Sequence, residues 1–152
     1  MITTKTGDKG KTNCGNQRVN KDDLLVEVVG EIDELQAVLE LSKMDEKFID
    51  DLTGIMGELG FEVIFDKYKI RIEEMEREIN DKDFNLQKFL KFKNEEALKF
   101  NWARTICRRI ERRIVSLSKQ QKINEDILVY FNRLSDYLFL KAYQQDKSSL
   151  GR

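Results

Sequence analysis

From Leu25 to Leu138 apolar residues return at steps of three and four, and no proline stands anywhere in the 152 residues to interrupt them. Such a stride stacks side chains on one face of an α-helix, and without proline nothing forces the backbone to break. Leu25, Val28, Val29, Ile32, Leu35 and Leu39 predict a first helix starting near Asp22. After a polar break at 42–46, Ile49, Leu52, Ile55, Met56, Leu59 and Val63 predict a second, whose Gly54, Gly57 and Gly60 suggest close packing against a neighbour. Ile72, Met75 and Ile79 keep register through the charged stretch 67–80 and predict a shorter third helix. Leu98, Ala103, Ile106, Ile110, Ile114 and Leu117 mark a fourth from Glu95 to about Gln120, and Leu128, Phe131, Leu134 and Leu138 a fifth from Glu125 to about Gln145. The segment 81–94 reads as an irregular connection. No strand alternation competes, so the expected architecture is all-α, a five-helix bundle of four long helices and a shorter one. It forms a single domain: an N-terminal loop over 1–21, the helical bundle over 22–146 and a tail over 147–152.

Charge narrows the choice of partners. The net charge is −1 with 36% charged residues, so no global basic excess steers the chain to nucleic acid or to an anionic membrane. A polyanion site, if present, has to be local. No apolar run approaches the roughly 20 residues that cross a bilayer. Cys14 and Cys107 have no metal-like spacing and no secretory signal accompanies them, which points to free thiols in a reducing cytoplasm rather than a disulfide. Histidine is absent altogether, which removes the commonest general base and the commonest transition-metal ligand from any mechanism.

Four constellations carry chemical potential. Thr6-Gly7-Asp8-Lys9-Gly10-Lys11-Thr12 is a loop whose glycines let backbone N–H groups approach an anion, with two lysines adding charge. It is not a P-loop, because only two residues separate its glycines and no strand precedes them. On the fourth helix, Arg104, Arg108 and Glu111 fall at i, i+4 and i+7 and share a face. Two readings stand open for the run Arg104–Arg113: a solvated, salt-bridged face, or a face that holds an anion between arginines that otherwise repel each other. On the last helix Asn132 and Asp136 share a face that could read a ligand's hydrogen-bonding edge or simply meet water. Asp33 lies close to the apolar stripe of the first helix, as an exposed acid or as a carboxylate with an arginine partner.

Taken in order along the chain, these blocks resemble the PduO-type ATP:cob(I)alamin adenosyltransferases. Thr4 through Thr12, then Arg18-Val19-Asn20-Lys21-Asp22-Asp23, look like the ATP-binding segment of that family, and Gly30 with Asp33-Glu34-Leu35 continues it. Ala103-Arg104 to Arg109 with Glu111 and Arg112, and Phe131-Asn132-Arg133-Leu134-Ser135-Asp136, are similar to its two C-terminal signatures. The resemblance implies a ferritin-like bundle, a homotrimer with active sites between subunits, and transfer of the 5′-deoxyadenosyl group of ATP to the cobalt of cob(I)alamin, giving adenosylcobalamin and triphosphate.

Carried over by position, Thr6, Gly7, Asp8, Lys9, Gly10, Thr12 and Lys21 would surround the triphosphate, Arg108 a phosphate, and Asn132 the adenosine. Glu111 would help position nucleotide or Mg²⁺. Asp33 and Arg104 would pair across the subunit interface on the corrinoid side. The implied partners are a flavoprotein reductase that supplies electrons and an adenosylcobalamin-dependent enzyme that receives the product. One departure is visible: where the family often carries an aromatic followed by Leu-Pro-Gly-Gly, this chain reads Lys88-Phe89-Leu90-Lys91-Phe92-Lys93-Asn94. Phe89, with Phe92 as the alternative, would form the apolar wall below cobalt. The competing reading is an ATP-binding helical sensor or interaction module that has lost corrinoid chemistry; a nucleic-acid-binding bundle is disfavoured by the near-zero net charge.

Overall fold

The computed structural model describes residues 1–61, 67–82 and 91–150. A short antiparallel hairpin, β1 (Lys11–Cys14) and β2 (Gln17–Asn20), precedes five helices: α1 (Leu24–Leu41), α2 (Glu46–Phe61), α3 (Tyr68–Asn80), α4 (Glu95–Leu117) and α5 (Glu125–Leu150). The five expected helices are therefore present, with α3 the shortest, and α5 runs a turn beyond the expected end near Gln145, through most of the expected tail.

Capping side chains set the helix starts. The Asp23 carboxylate accepts from the Leu25 N–H at 2.9 Å, and Asn94 accepts from Glu96 and Ala97 at 2.9 and 3.4 Å. Each cap of this kind contributes about 1 kcal/mol by satisfying an otherwise orphaned amide. Asp146 on α5 adds a long-range clamp: its Oδ1 accepts from the Lys93 and Asn94 N–H groups, both at 3.1 Å, so the end of one helix holds the beginning of another.

Helix α5 packs against both α4 and α3, α4 against α1, and α1 against α2. Between them lies one apolar core containing Ile32, Leu35, Phe48, Ile55, Ile106, Ile110, Tyr130 and Phe131. Both cysteines are free and buried. The Cys107 thiol donates to the Phe131 carbonyl at 3.2 Å, and burial raises its pKa well above the ordinary thiol value, so it serves as packing rather than as a nucleophile.

The N-terminal segment departs from the expected loop. Cys14 faces Gln17 across a two-residue connection, Gly15–Asn16, with positive φ at Gly15 (58°) and not at Asn16. That is the pattern of a type II′ hairpin turn. The strands are almost wholly polar, Lys-Thr-Asn-Cys and Gln-Arg-Val-Asn, so apolar alternation gave no sign of them. Docking supplies what the sequence pattern lacks. Cys14 is buried, and Gly15 lies so close to Gly60 on α2 that a Cβ added there would sit 1.7 Å from the Gly60 carbonyl oxygen. Among the described residues, Gly60 alone of the three α2 glycines makes the close backbone approach the spacing suggested; a Cβ on Gly54 would meet the Tyr68 hydroxyl at 3.7 Å, and one on Gly57 nothing within 4 Å.

Candidate nucleotide site

The loop before β1 is a folded-back turn held from its far side. Gly10 N–H bonds to the Gly7 carbonyl at 3.2 Å, and the Lys21 N–H bonds to the Gly10 carbonyl at 2.9 Å, closing the loop onto the end of β2. Gly10 has φ +77°, a conformation glycine adopts without strain. The Arg18 guanidinium clamps the loop by donating to the Thr6 carbonyl at 2.6 Å and to Asn13 Oδ1 at 3.2 Å. Lys21 folds its side chain over Gly7, where an added Cβ would lie 3.0 Å from its Nζ. The structure thus brings Thr6, Gly7, Gly10 and Lys21 together, with Asp8, Lys9 and Thr12 on the same turn and strand. Lys5, Lys9, Lys11, Arg18 and Lys21 outnumber Asp8, Asp22 and Asp23 in this segment, and none of these lysines has an ion-pair partner among the described residues. The result is a local positive surface on a chain of net charge −1.

A second cluster lies where α4 meets α5. Arg108 Nη1 pairs with Glu111 Oε2 at 2.8 Å, and Glu111 Oε1 accepts from Asn132 Nδ2 at 3.1 Å. Asn132 Oδ1 in turn accepts from Arg133 Nη1 at 2.9 Å, while Arg133 Nε pairs with Glu76 of α3 at 2.6 Å. Asp136 stands next to this chain; burial raises its carboxyl pKa and Glu111 adds to that, against the pull of Arg133 and Arg108. Glu111 therefore engages Arg108 with one carboxylate oxygen and Asn132 with the other, holding those two side chains beside each other. Arg133 and Glu76 lie beyond the residues the sequence motifs assign to the site. Arg133 was visible inside the last motif, but Glu76 lies 57 positions away on another helix and has no local sequence sign.

The rest of the arginine run has a different employment. Arg109 pairs with Glu31 at 3.2 Å and with Glu34, and Arg113 pairs with Glu27 at 2.9 Å and Glu31 at 3.7 Å. These are ties from α4 to α1. Arg104 donates to Asn101 at 3.0 Å on its own helix, and Asp33 is exposed on α1 without an ion-pair partner among the described residues. Within one chain, then, Asp33 and Arg104 do not pair with each other. No hydrogen bond or ion pair among the described residues joins the 1–21 segment to α4 or α5. Phe89 lies outside the described residues; Phe92 packs edge-to-face on Phe139, with centroids 5.8 Å apart.

Among the described residues there is no cluster of three or more acidic or thiol side chains fit to hold a metal ion, and no helix is long and apolar enough to cross a membrane. Mg²⁺ bound with a nucleotide needs only one or two protein carboxylates because phosphate oxygens supply the rest. A closed protein cage is not required.

A helical bundle with a basic N-terminal loop and a polar cluster between two long helices has close counterparts. The sequence matches the family Cobalamin adenosyltransferase over residues 2–144. The corrinoid adenosyltransferase of Bacillus subtilis is 36% identical, the match covering 93% of this chain and 84% of that protein. A variant of a PduO-type ATP:corrinoid adenosyltransferase from Lactobacillus reuteri, solved with ATP, superposes with a TM-score of 0.80 at 29% identity, covering 99% of this chain and 96% of that one. A second variant of that enzyme, solved with cobalamin and ATP, superposes with a TM-score of 0.74 at 29% identity, covering 99% of this chain and 92% of that one. The chain belongs to the cobalamin adenosyltransferase family, in its PduO type.

Proposed function

We infer that this chain transfers the 5′-deoxyadenosyl group of ATP to the cobalt of a reduced corrinoid, with triphosphate as the other product. The observation that carries this reading is the family match over nearly the whole chain together with fold similarity to an enzyme solved with both substrates. The chemistry suits a protein without histidine. Cobalt(I) is itself a strong nucleophile; it forms a bond to C5′ as the bond from C5′ to the triphosphate oxygen breaks, and no proton has to move. What the protein supplies is alignment and positive charge for a leaving group that gains negative charge. Lys9 on the N-terminal turn, Lys21 just after β2 and Arg108 on α4 would supply that charge, and Mg²⁺ carried by the nucleotide would neutralise more.

The N-terminal turn and the Arg108–Glu111–Asn132 cluster share no bond within one chain, so both would engage a single nucleotide if the turn of one subunit met α4 and α5 of the next. A homotrimer with shared sites provides this. Leu98 and Trp102, one turn apart on α4 and 47% and 49% exposed, are apolar surface that assembly would cover. In such a trimer Asp33 would find Arg104 across the interface, and Phe89 would form the apolar wall that expels the lower ligand of cob(II)alamin before reduction by a flavoprotein. The adenosylated corrinoid would then pass to an enzyme that uses it.

Anaerobic mixing of the protein, Mg-ATP and chemically reduced cobalamin tests the activity. The expected result is the spectrum of adenosylcobalamin appearing at a rate proportional to protein. ATP binding with no such spectrum would assign the chain instead to nucleotide sensing. Sedimentation at working concentration tests the assembly: a monomer there would rule out the shared site.

A further inference from the structure

We propose that Arg133, anchored by Glu76, fixes the orientation of the Asn132 carboxamide and thereby makes the site select 6-amino over 6-oxo purine nucleotides. The inference rests on the reading that Asn132 meets the base.

A carboxamide can present its oxygen and nitrogen in two orientations related by a half-turn, and an isolated asparagine exchanges them freely. Asn132 is not isolated. Its Nδ2 donates to Glu111 at 3.1 Å and its Oδ1 accepts from Arg133 at 2.9 Å. A half-turn would set oxygen against the Glu111 carboxylate and the amide hydrogens against the Arg133 guanidinium, breaking two charge-assisted bonds at once. The two supports are themselves secured: Glu111 by Arg108 on α4, and Arg133 by Glu76 on α3 at 2.6 Å. Neighbouring helical residues do not ordinarily face one another. The Glu76 tether across the α3–α5 contact keeps the Arg133 guanidinium on the Asn132 side instead of leaving it to solvent.

After these bonds Asn132 retains one N–H and one oxygen lone pair. Adenine offers an amino donor at C6 beside a ring-nitrogen acceptor, which matches that pair; asparagine reads adenine in this bidentate way in other settings. Hypoxanthine offers an oxygen acceptor at C6 instead, beside a protonated N1, and so demands the opposite carboxamide orientation. With Arg133 holding the oxygen side, the oxo base meets a mismatch. Without it, only Glu111 opposes the half-turn, and the site can adapt to either base.

The test is a set of equilibrium dissociation constants for Mg-ATP and Mg-ITP, measured without corrinoid on the full-length protein. The parent is expected to prefer ATP by at least ~30-fold, the scale of one good bidentate base contact. Arg133→Met and, independently, Glu76→Gln should each reduce that preference about tenfold, with Arg133→Lys intermediate because an ammonium can keep one of the two bonds. Glu76→Gln leaves every residue of α4 and α5 in place, so it decides the matter if Arg133→Met fails to fold. A loss of overall affinity with the ATP:ITP ratio unchanged in both variants would overturn the proposal, since a purely structural role predicts that result. Asn132→Ala separates the two levels of inference. If it abolishes the preference while Arg133→Met and Glu76→Gln retain it, Asn132 reads the base and Arg133 does not orient it. If it leaves the preference intact, the base is read elsewhere and both statements fall.

Discussion

Helix α4 presents arginines to two neighbours and uses them in opposite ways. Toward α1, Arg109 and Arg113 meet a ladder of acids, Glu27, Glu31 and Glu34, so each charge is neutralised by a residue of another helix. Toward α5, Arg108 has among the described residues only Glu111 of its own helix as ion-pair partner, and that carboxylate is shared with Asn132. The first face is a structural seam. The second is a set of oriented polar groups with capacity left for a ligand. Glu31 shows the cost of the seam: it is 15% exposed and receives two guanidiniums, yet its Oε2 has no hydrogen-bond partner among the described residues. Arg108 and Arg109, adjacent in sequence, therefore carry different roles, and the difference lies in what the adjoining helix offers.

The sharpest way to break this contrast is Arg108→Ala. Its side chain is 48% exposed and its ion pair with Glu111 is a surface one, so folding stability should change by no more than about 1 kcal/mol. Adenosyl transfer should fall at least ~100-fold through loss of charge at the leaving group. Thermal melting and the anaerobic assay, run on one preparation, check both halves; a large fall in melting temperature would move Arg108 to the structural side.

A second test compares the hairpin with the bundle. Gly15→Ala places a methyl group in the Gly60 backbone and forces an unfavourable positive φ, costing about 1–3 kcal/mol locally. The hairpin should undock, weakening ATP binding about tenfold or more, while the helical melting transition stays within a few degrees of the parent. Limited proteolysis provides the local readout. Faster cleavage after Lys9, Lys11 and Arg18 is expected, slowed by saturating Mg-ATP in the parent but not in the variant.

On the seam, Arg109→Ala should cost about 1–3 kcal/mol because it leaves the mostly buried Glu31 with the distant Arg113 alone, and turnover should remain within about threefold of the parent. Denaturant midpoints check the first statement. The more exposed Arg113–Glu27 pair should contribute at most about 1 kcal/mol and fade with added salt.

The smallest effect concerns the clamp that starts α4. Hydrogen bonds from the Lys93 and Asn94 amides hold the Asp146 carboxyl pKa below its ordinary value. A depressed folded pKa means that the clamp stabilises the protein above the unfolded-state value, about 4, and that the contribution disappears as pH falls through the folded value. Asp146→Asn should therefore melt below the parent at pH 7, and the gap should close below about pH 4. An unchanged gap in acid would show that the side chain acts by packing and not by charge.

Much of the molecule is legible in its sequence because helices are written locally. A three- and four-residue stride is a property of neighbouring positions, so α1 to α5 could be read off residues such as Leu25, Ile55, Met75, Ile110 and Leu134, and the ordered motifs pointed to the family. The hairpin was not legible in the same way: its strands have no apolar alternation, and it is held by Gly15 meeting Gly60, a contact between segments 45 positions apart. The division of the arginines was hidden for the same reason. Arg113 finds Glu27 across 86 positions and Arg133 finds Glu76 across 57, and no local pattern states which of several equivalent charges will stand opposite. The sequence alone determined where helices form and which residue types gather in the motifs, because those depend on short-range spacing. Only the tertiary structure decided which arginines are neutralised, which way Asn132 faces and where the N-terminal turn is anchored, because those depend on which helices the packed core brings side by side.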